Sequence, residues 1–206
     1  MRKIYHQRII EQAVGRQVSK PALDIMIAAN LGQDALYFQF GHEHFHYDSN
    51  TFVSGDAYVN EQRAMILPSL QKSQPQEAWQ AFGRLSHTVQ DLYAHSNYVE
   101  IWLTKCNEPN PDPEKIDPLD TEILSYPGLH SGIPYFFFDA LQFFNLLTPG
   151  MLKLAPENSH TRMNIDGPDR VNFPYAYAAA VKRTQIEFSG VVDSLPDNFK
   201  NMFFGH

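Results

Sequence analysis

Apolar residues recur along most of the chain at helical rather than alternating spacing, which predicts helices and few strands. Residues 4–14 form a first segment with Ile9, Ile10 and Ala13 on its apolar stripe. Ser19, Lys20 and Pro21 read as the cap and first turn of a second helix that Gly32 closes. HEHFHYDSNTFVSGD (42–56) has no helical period and carries turn formers, so a loop is expected there. A third helix is expected over 60–70, with a break near 73–75, and the longest helical pattern spans 76–102. Four prolines in KCNEPNPDPEKIDP (105–118) require an irregular connection. IPYFFFDALQFFNLL (133–147) is apolar nearly all round and reads as a buried helix. A second long loop is expected over 148–174 and a final helix over 175–195. The pattern therefore predicts an all-α chain, 1–206 forming a single multi-helix domain with two long loops. Such loops inside a compact domain are often functional.

On a helical wheel of 76–102, Trp79, Phe82, Val89 and Tyr93 fall on one side, with Leu85 and Leu92 beside them. His87, Asp91 and His95 advance by four each time, drift about 80° in total and form a row shared with Gln80 and Arg84. That row is either the wet face of an amphipathic helix or half of a metal site. Side chains four apart can chelate one ion. The row rises roughly 12 Å, too far for one ion to take all three. Asp91 could instead give one oxygen to an ion shared with His87 and the other to an ion shared with His95. Bridging carboxylates do this between metals about 3.5–4 Å apart. Two histidines do not complete tetrahedral shells, so further ligands must come from elsewhere.

Composition narrows the donor types. Cys106 is the sole cysteine, which excludes an intrachain disulfide and a cysteine-rich zinc cluster. Imidazole and carboxylate must hold any metal. Nine histidines are present, and three of them, His42, His44 and His46, alternate within five residues; if extended, they point one way. His6 lies on the opening helix, Asp34 follows Gly32, and His160 and Asp166 lie in the later loop. The formal net charge of -7 argues against wrapping a nucleic-acid duplex. It leaves small anionic substrates open, because bound cations invert the local field. No apolar run approaches the roughly 20 residues of a transmembrane helix. Polar residues interrupt the opening segment, so no signal peptide is expected and a cytoplasmic location is the default.

FGRLSHTVQDLYAHSNYVE (82–100) resembles the signature of the zinc-dependent phospholipase C superfamily, in particular its branch of heterokaryon-incompatibility C proteins and bacterial relatives. That superfamily also holds zinc-dependent single-strand nucleases. HQRIIEQA resembles its early helix with a ligand histidine, LGQD its aspartate ligand, HFHYD its next histidine, and SHTRMNIDGPDR its late ligand loop. The resemblance implies a phospholipase C-like fold holding two or three zinc ions. His87 and Asp91 would join Asp34 and a histidine of the cluster around one ion, with Asp91 reaching a second. His95 and His160 would help hold another, and His6 and Asp166 complete the candidate ligands. His44 and His46 compete for one slot, and the Tyr47-Asp48 that follows favours His46. The chain departs from the secreted phospholipases in having no tryptophan near its start. It offers Asp166, six after His160, where they have a glutamate four after.

By this resemblance the expected activity is phosphate-ester hydrolysis, a phospholipase C-like phosphodiesterase in which Asp34 orients the attacking water or takes its proton. The substrate would be a phosphate-ester small molecule or a phospholipid headgroup. Two alternatives stand beside it. One is a non-catalytic binding or membrane-associated module with a structural metal, supported by the aromatics of YFFFDALQFF. The other is a single-strand nuclease.

Overall fold

The chain is helical, as its periodicity predicts. The computed structural model describes residues 1–38, 41–144 and 146–206. Among these there are eleven α-helices and no β-strand beyond two isolated bridges. The helices are α1 Lys3–Val14, α2 Lys20–Gly32, α3 Phe52–Gln71, α4 Pro75–His95, α5 Tyr98–Cys106, α6 Thr121–Leu124, α7 Phe136–Phe143, α8 Pro149–Leu152, α9 His160–Met163, α10 Phe173–Ser194 and α11 Asp197–Phe204. No helix among the described residues is long and apolar enough to cross a membrane.

The layout is organised around α4, which α2, α3 and α10 enclose. Proline at the first turn starts α4 without wasting a backbone donor. From Ala78 to His95 nearly every side chain is buried, so the helix has almost no wet face. Its amino-terminal half packs Trp79, Phe82 and Leu85 into a core with Leu70, Phe188 and Phe203. Its carboxy-terminal half places Leu92, Tyr93 and Ala94 in a second core with Ile9, Tyr98 and Phe173. Gly83 sets how near α2 comes. A Cβ there would stand under 3.0 Å from the Met26 carbonyl oxygen and from Cβ of Ala29. The close approach carries the end of α2, and with it Asp34, toward the turn of α4 that bears His87.

Several boundaries differ from the periodicity. α3 begins at Phe52, well inside the expected loop, because Gly55 sits against the Tyr47 ring and tertiary packing supplies what Ser54, Gly55 and Asp56 do not. The helix expected to run to 102 stops at His95. Ser96 turns extended and pairs with Ser131, while the Asn97 amide donates to the His130 carbonyl at 3.0 Å. These long-range bonds outweigh local helix propensity. The late loop contains α8 and α9, and α11 follows the helix expected to be last.

The largest correction concerns 133–147. It forms only the short α7, and Phe136 and Phe137 are exposed at 72% and 62% rather than buried. The residue turned inward is Asp139, which accepts from the Tyr135 amide and from Thr161 Oγ1. A single acid with buried partners thus decides which way this apolar helix faces.

Candidate metal centre

The polar row of α4 is interior, not wet: His87, Asp91 and His95 are 0%, 0% and 5% exposed. Asp91 stands at the centre, and its two oxygens face different partners. Oδ2 lies 3.0 Å from His87 Nε2 and 2.9 Å from His46 Nδ1. Oδ1 lies 3.2 Å from His6 Nε2 and 3.8 Å from His95 Nε2.

Each remaining residue arrives on its own element. α1 presents His6, whose ring stacks on His87 with centroids 4.3 Å apart. Asp34, just beyond α2, places Oδ1 3.7 Å from His87 Nε2. His46 closes a turn of 3-10 helix over Glu43–Phe45, and the next residue, Tyr47, takes a left-handed φ of 57° that redirects the chain. That turn brings Asp48 Oδ1 to 3.4 Å from His95 Nδ1. His160 opens α9, and its Nε2 stands 3.4 Å from that of His95. Asp166 Oδ1 lies 3.3 Å from His95 Nε2.

The strap 131–133 fixes the distance from His95 to His160. The Gly132 amide donates to the His95 carbonyl at 3.0 Å, and the His160 amide donates to the Ile133 carbonyl at 2.9 Å. A Cβ on Gly132 would meet the His160 backbone under 3.0 Å away. The loop carrying Asp166 is tied to α4 by the Ile165 amide, which donates to the Ala94 carbonyl at 2.7 Å.

Among the described residues, three groupings have donor atoms close enough to share an ion: His6 with Asp34 and His87, His46 with His87 and Asp91, and Asp48 with His95 and His160. Eight of the nine sequence candidates therefore converge, counting Asp166 beside His95. His44 does not. It is half-buried against Phe45 and Tyr58, so the slot shared with His46 falls to His46. His42 likewise lies among Tyr37, Phe38 and Phe45. Asp48, which follows the histidine cluster in sequence, also enters the site. Gln90 and Asp139, which no ligand spacing in the sequence marks, also reach the site. His6 Nδ1 donates to Gln90 Oε1 at 2.6 Å, and Gln90 is itself held by Thr184 and Asn30. His160 Nδ1 donates to Asp139 Oδ1 at 2.8 Å. Both contacts place the ring proton on Nδ1 and leave Nε2 to the cluster, as partners of metal-binding histidines do. One acid inside YFFFDALQFF was the available signal for Asp139.

Electrostatics agree with a place built for positive charge. Burial, opposed by Asp91, lowers His87 to about 4, so its ring is neutral near pH 7. His95 moves the other way: burial lowers it, but the Asp91 and Asp48 carboxylates outweigh that and hold it well above the usual range. Asp91 is driven well below the usual carboxylate range, because the surrounding positive groups exceed its own burial. The Met1 amino group lies 2.6 Å from Asp91 Oδ1. Burial opposes its charge, yet Asp91, Asp166 and Asp34 raise it to about 11.

The residues present fit metal ions. Four carboxylates, Asp34, Asp48, Asp91 and Asp166, crowd a largely buried space. The Met1 ammonium pairs with Asp91 at 2.6 Å and Asp166 at 3.3 Å, and the negative charge beyond that is costly to bury. His95 Nδ1 and Asp48 Oδ1, 3.4 Å apart, are buried with no hydrogen-bond partner among the described residues. His6 Nε2 is near Asp91 but lacks the angle a hydrogen bond needs.

Residues 2–116, more than half of the chain, match the VWA7 N-terminal domain family. The chain belongs to that family. In this member the matched span takes in His6, Asp34, His46, Asp48, His87, Asp91 and His95, and it ends before Asp139, His160 and Asp166. Comparisons with curated proteins and with solved structures give no match.

Proposed function

We propose that this member of the VWA7 N-terminal domain family is a metal-dependent hydrolase of phosphate esters, a phospholipase C-like phosphodiesterase with a multinuclear zinc site. The observation that carries the reading is the divided carboxylate of Asp91, one oxygen toward His46 and His87, the other toward the Met1 amino group, His6 and His95. Zinc is favoured over harder cations because imidazole supplies half or more of the donors. The nitrogen separations also suit it. Two nitrogens on a tetrahedral ion with bonds of 2.0–2.1 Å stand about 3.3 Å apart. His46 and His87 are 3.1 Å apart at the facing atoms, and His95 and His160 are 3.4 Å apart.

Asp91 would serve both parts of the site, with His46, His87, Asp34 and His6 in one and His95, His160, Asp48 and Asp166 in the other. When bound, zinc supplies Lewis acidity that lowers the pKa of water and offsets phosphoryl charge. The protein's own work is positional. Gln90 and Asp139 fix the tautomers of His6 and His160. Asp34, like Asp166, is 16% exposed at its side chain, against 0% for Asp91, so it stands at the accessible rim. There its carboxylate can align a water or accept its proton.

Hydrolysis of bis(p-nitrophenyl) phosphate by the zinc-loaded chain, abolished by chelator and restored by zinc, is the expected result. A chain that retains zinc but turns over no phosphate ester would overturn the hydrolase reading.

A second reading keeps the metal without turnover and makes the chain a membrane-associated module. The exposed Phe136, Phe137 and Phe144 favour it, since they project from the segment whose Asp139 holds His160. Aromatic side chains exposed in this way suit the interface of a bilayer.

A further inference from the structure

His46 and Asp48 stand two apart in sequence yet reach different parts of the cluster. His46 Nδ1 lies 2.9 Å from Asp91 Oδ2, whereas Asp48 Oδ1 lies 3.4 Å from His95 Nδ1. The residue between them makes the division. In an extended chain, side chains two apart point the same way. Tyr47 instead takes φ 57° and ψ 16°, and Ser49 and Asn50 are left-handed as well, at φ 55° and 60°. Left-handed backbone is unfavourable for a residue with a Cβ and rare for a bulky ring. Such a conformation persists only where the surrounding structure over-determines it.

Two sets of contacts hold the turn. Tyr47 is 2% exposed, and its ring lies so close to Gly55 that a Cβ there would collide with it. Its hydroxyl donates to Asp56 Oδ1 on α3 at 2.6 Å, a charge-assisted bond. Beyond Asp48, the Ser49 amide donates to the Gly132 carbonyl and the Asn50 amide to Ser131 Oγ, both at 2.8 Å. The Ser131 amide returns a bond to Asn50 Oδ1 at 2.7 Å. This is the strap that also binds the His95 carbonyl and the His160 amide. The turn is thus fixed to α3 at one end and to the strap at the other. Neither Tyr47 nor Asp56 belongs to the three groupings of donor atoms, so both act on the centre through His46 and Asp48.

We propose that Tyr47 is a positioning residue of the metal centre. Its hydroxyl, seated on Asp56, holds the left-handed turn that sends His46 to one part of the site and Asp48 to the other. The inference rests on the metal reading of the cluster and on no particular reaction there. Without that bond the metal-free turn relaxes toward negative φ, and each binding event must restore the strained form. The cost then appears as lost metal affinity.

Zinc affinity of the full chain, read by competition with a chromophoric chelator, tests it. Tyr47→Phe removes the hydroxyl and keeps the ring. Asp56→Ala removes the acceptor at an exposed position that folding does not need. Each is expected to bind zinc about tenfold more weakly, the worth of a hydrogen bond to a charged group. The double variant should be no weaker than either single one, since all three break the same bond. Asp56→Asn, which keeps an acceptor without the charge, should bind more tightly than Asp56→Ala. Hydrogen exchange on the zinc-free chain gives a second readout: the Ser49 and Asn50 amides should exchange faster in Tyr47→Phe than in wild type. A wild type that holds no zinc would overturn the metal reading and this inference together. A zinc-holding wild type with unchanged affinity in Tyr47→Phe and Asp56→Ala, or additive losses in the double variant, would overturn the role of Tyr47 alone.

Discussion

His46 Nδ1 and His87 Nε2 stand 3.1 Å apart, and both border Oδ2 of Asp91. Two ring nitrogens on one carboxylate oxygen make a compact donor set, and Asp91→Asn removes its charge while keeping its shape. Gently purified wild-type chain is expected to carry about two or more zinc ions, and Asp91→Asn less than one. Metal analysis reads this directly. A wild-type content near zero would remove the metal from the account.

The two neighbouring histidines of the cluster at 42–46 should behave oppositely. His46→Ala, at a ring 3% exposed beside Asp91, should lose metal. His44→Ala, at a ring packed on Phe45 and Tyr58, should keep the wild-type content. Equal losses would mean that the turn after Glu43 is placed differently.

Gln90 offers a subtler test, because it holds His6 without joining the cluster itself. Gln90→Leu is expected to weaken zinc binding by about 10–100-fold, as loss of a histidine's outer partner does. Competition with a chromophoric chelator measures it, and Gln90→Glu, which restores an acceptor, should recover much of the affinity. No change in either variant would show that His6 needs no orienting partner.

Two glycines separate packing from propensity. Gly83→Ala drives a methyl into the Met26 carbonyl and is expected to destabilise by about 1–3 kcal/mol or more. Gly190→Ala, exposed on α10 with nothing within 4 Å of the added methyl, should stabilise by about 0.4–1 kcal/mol. Denaturant midpoints check both, and reversed signs would refute the close crossing of α2 and α4.

For the membrane reading, zinc-loaded chain is expected to float with phosphatidylcholine vesicles, and Phe136→Ser with Phe137→Ser to stay behind. Flotation unaffected by the double change would take the aromatic segment out of consideration.

Much of this was legible before any fold was known. Helical spacing gave α1, α2, α4 and α10 to within a few residues at most ends, because each buries a periodic stripe. His87, Asp91 and His95 were legible as a row, since four-residue spacing maps directly onto one helix face. What stayed hidden depends on contacts distant in sequence. The stop at His95 follows from bonds to Ser131 and His130, and no proline or glycine marks it. Asp48 and Gln90 carry no spacing of their own and gain meaning only when α1 and the turn after Glu43 close on α4. The reversed orientation of α7 rests on Asp139 finding Thr161 and His160, which hydrophobicity alone does not encode.

The amphipathic pattern of α4 acquires a different sense once its surroundings are seen. It ordinarily separates protein from water. Here both faces are enclosed, so the pattern divides a dry interior of leucine and aromatic rings from a polar interior of imidazole and carboxylate. Tolerance to substitution should then be as low along the hydrophilic side as along the oily one. A lysine or glutamate introduced at His87 or Asp91, harmless on an ordinary outer face, would be as disruptive here as one replacing Phe82 or Leu85.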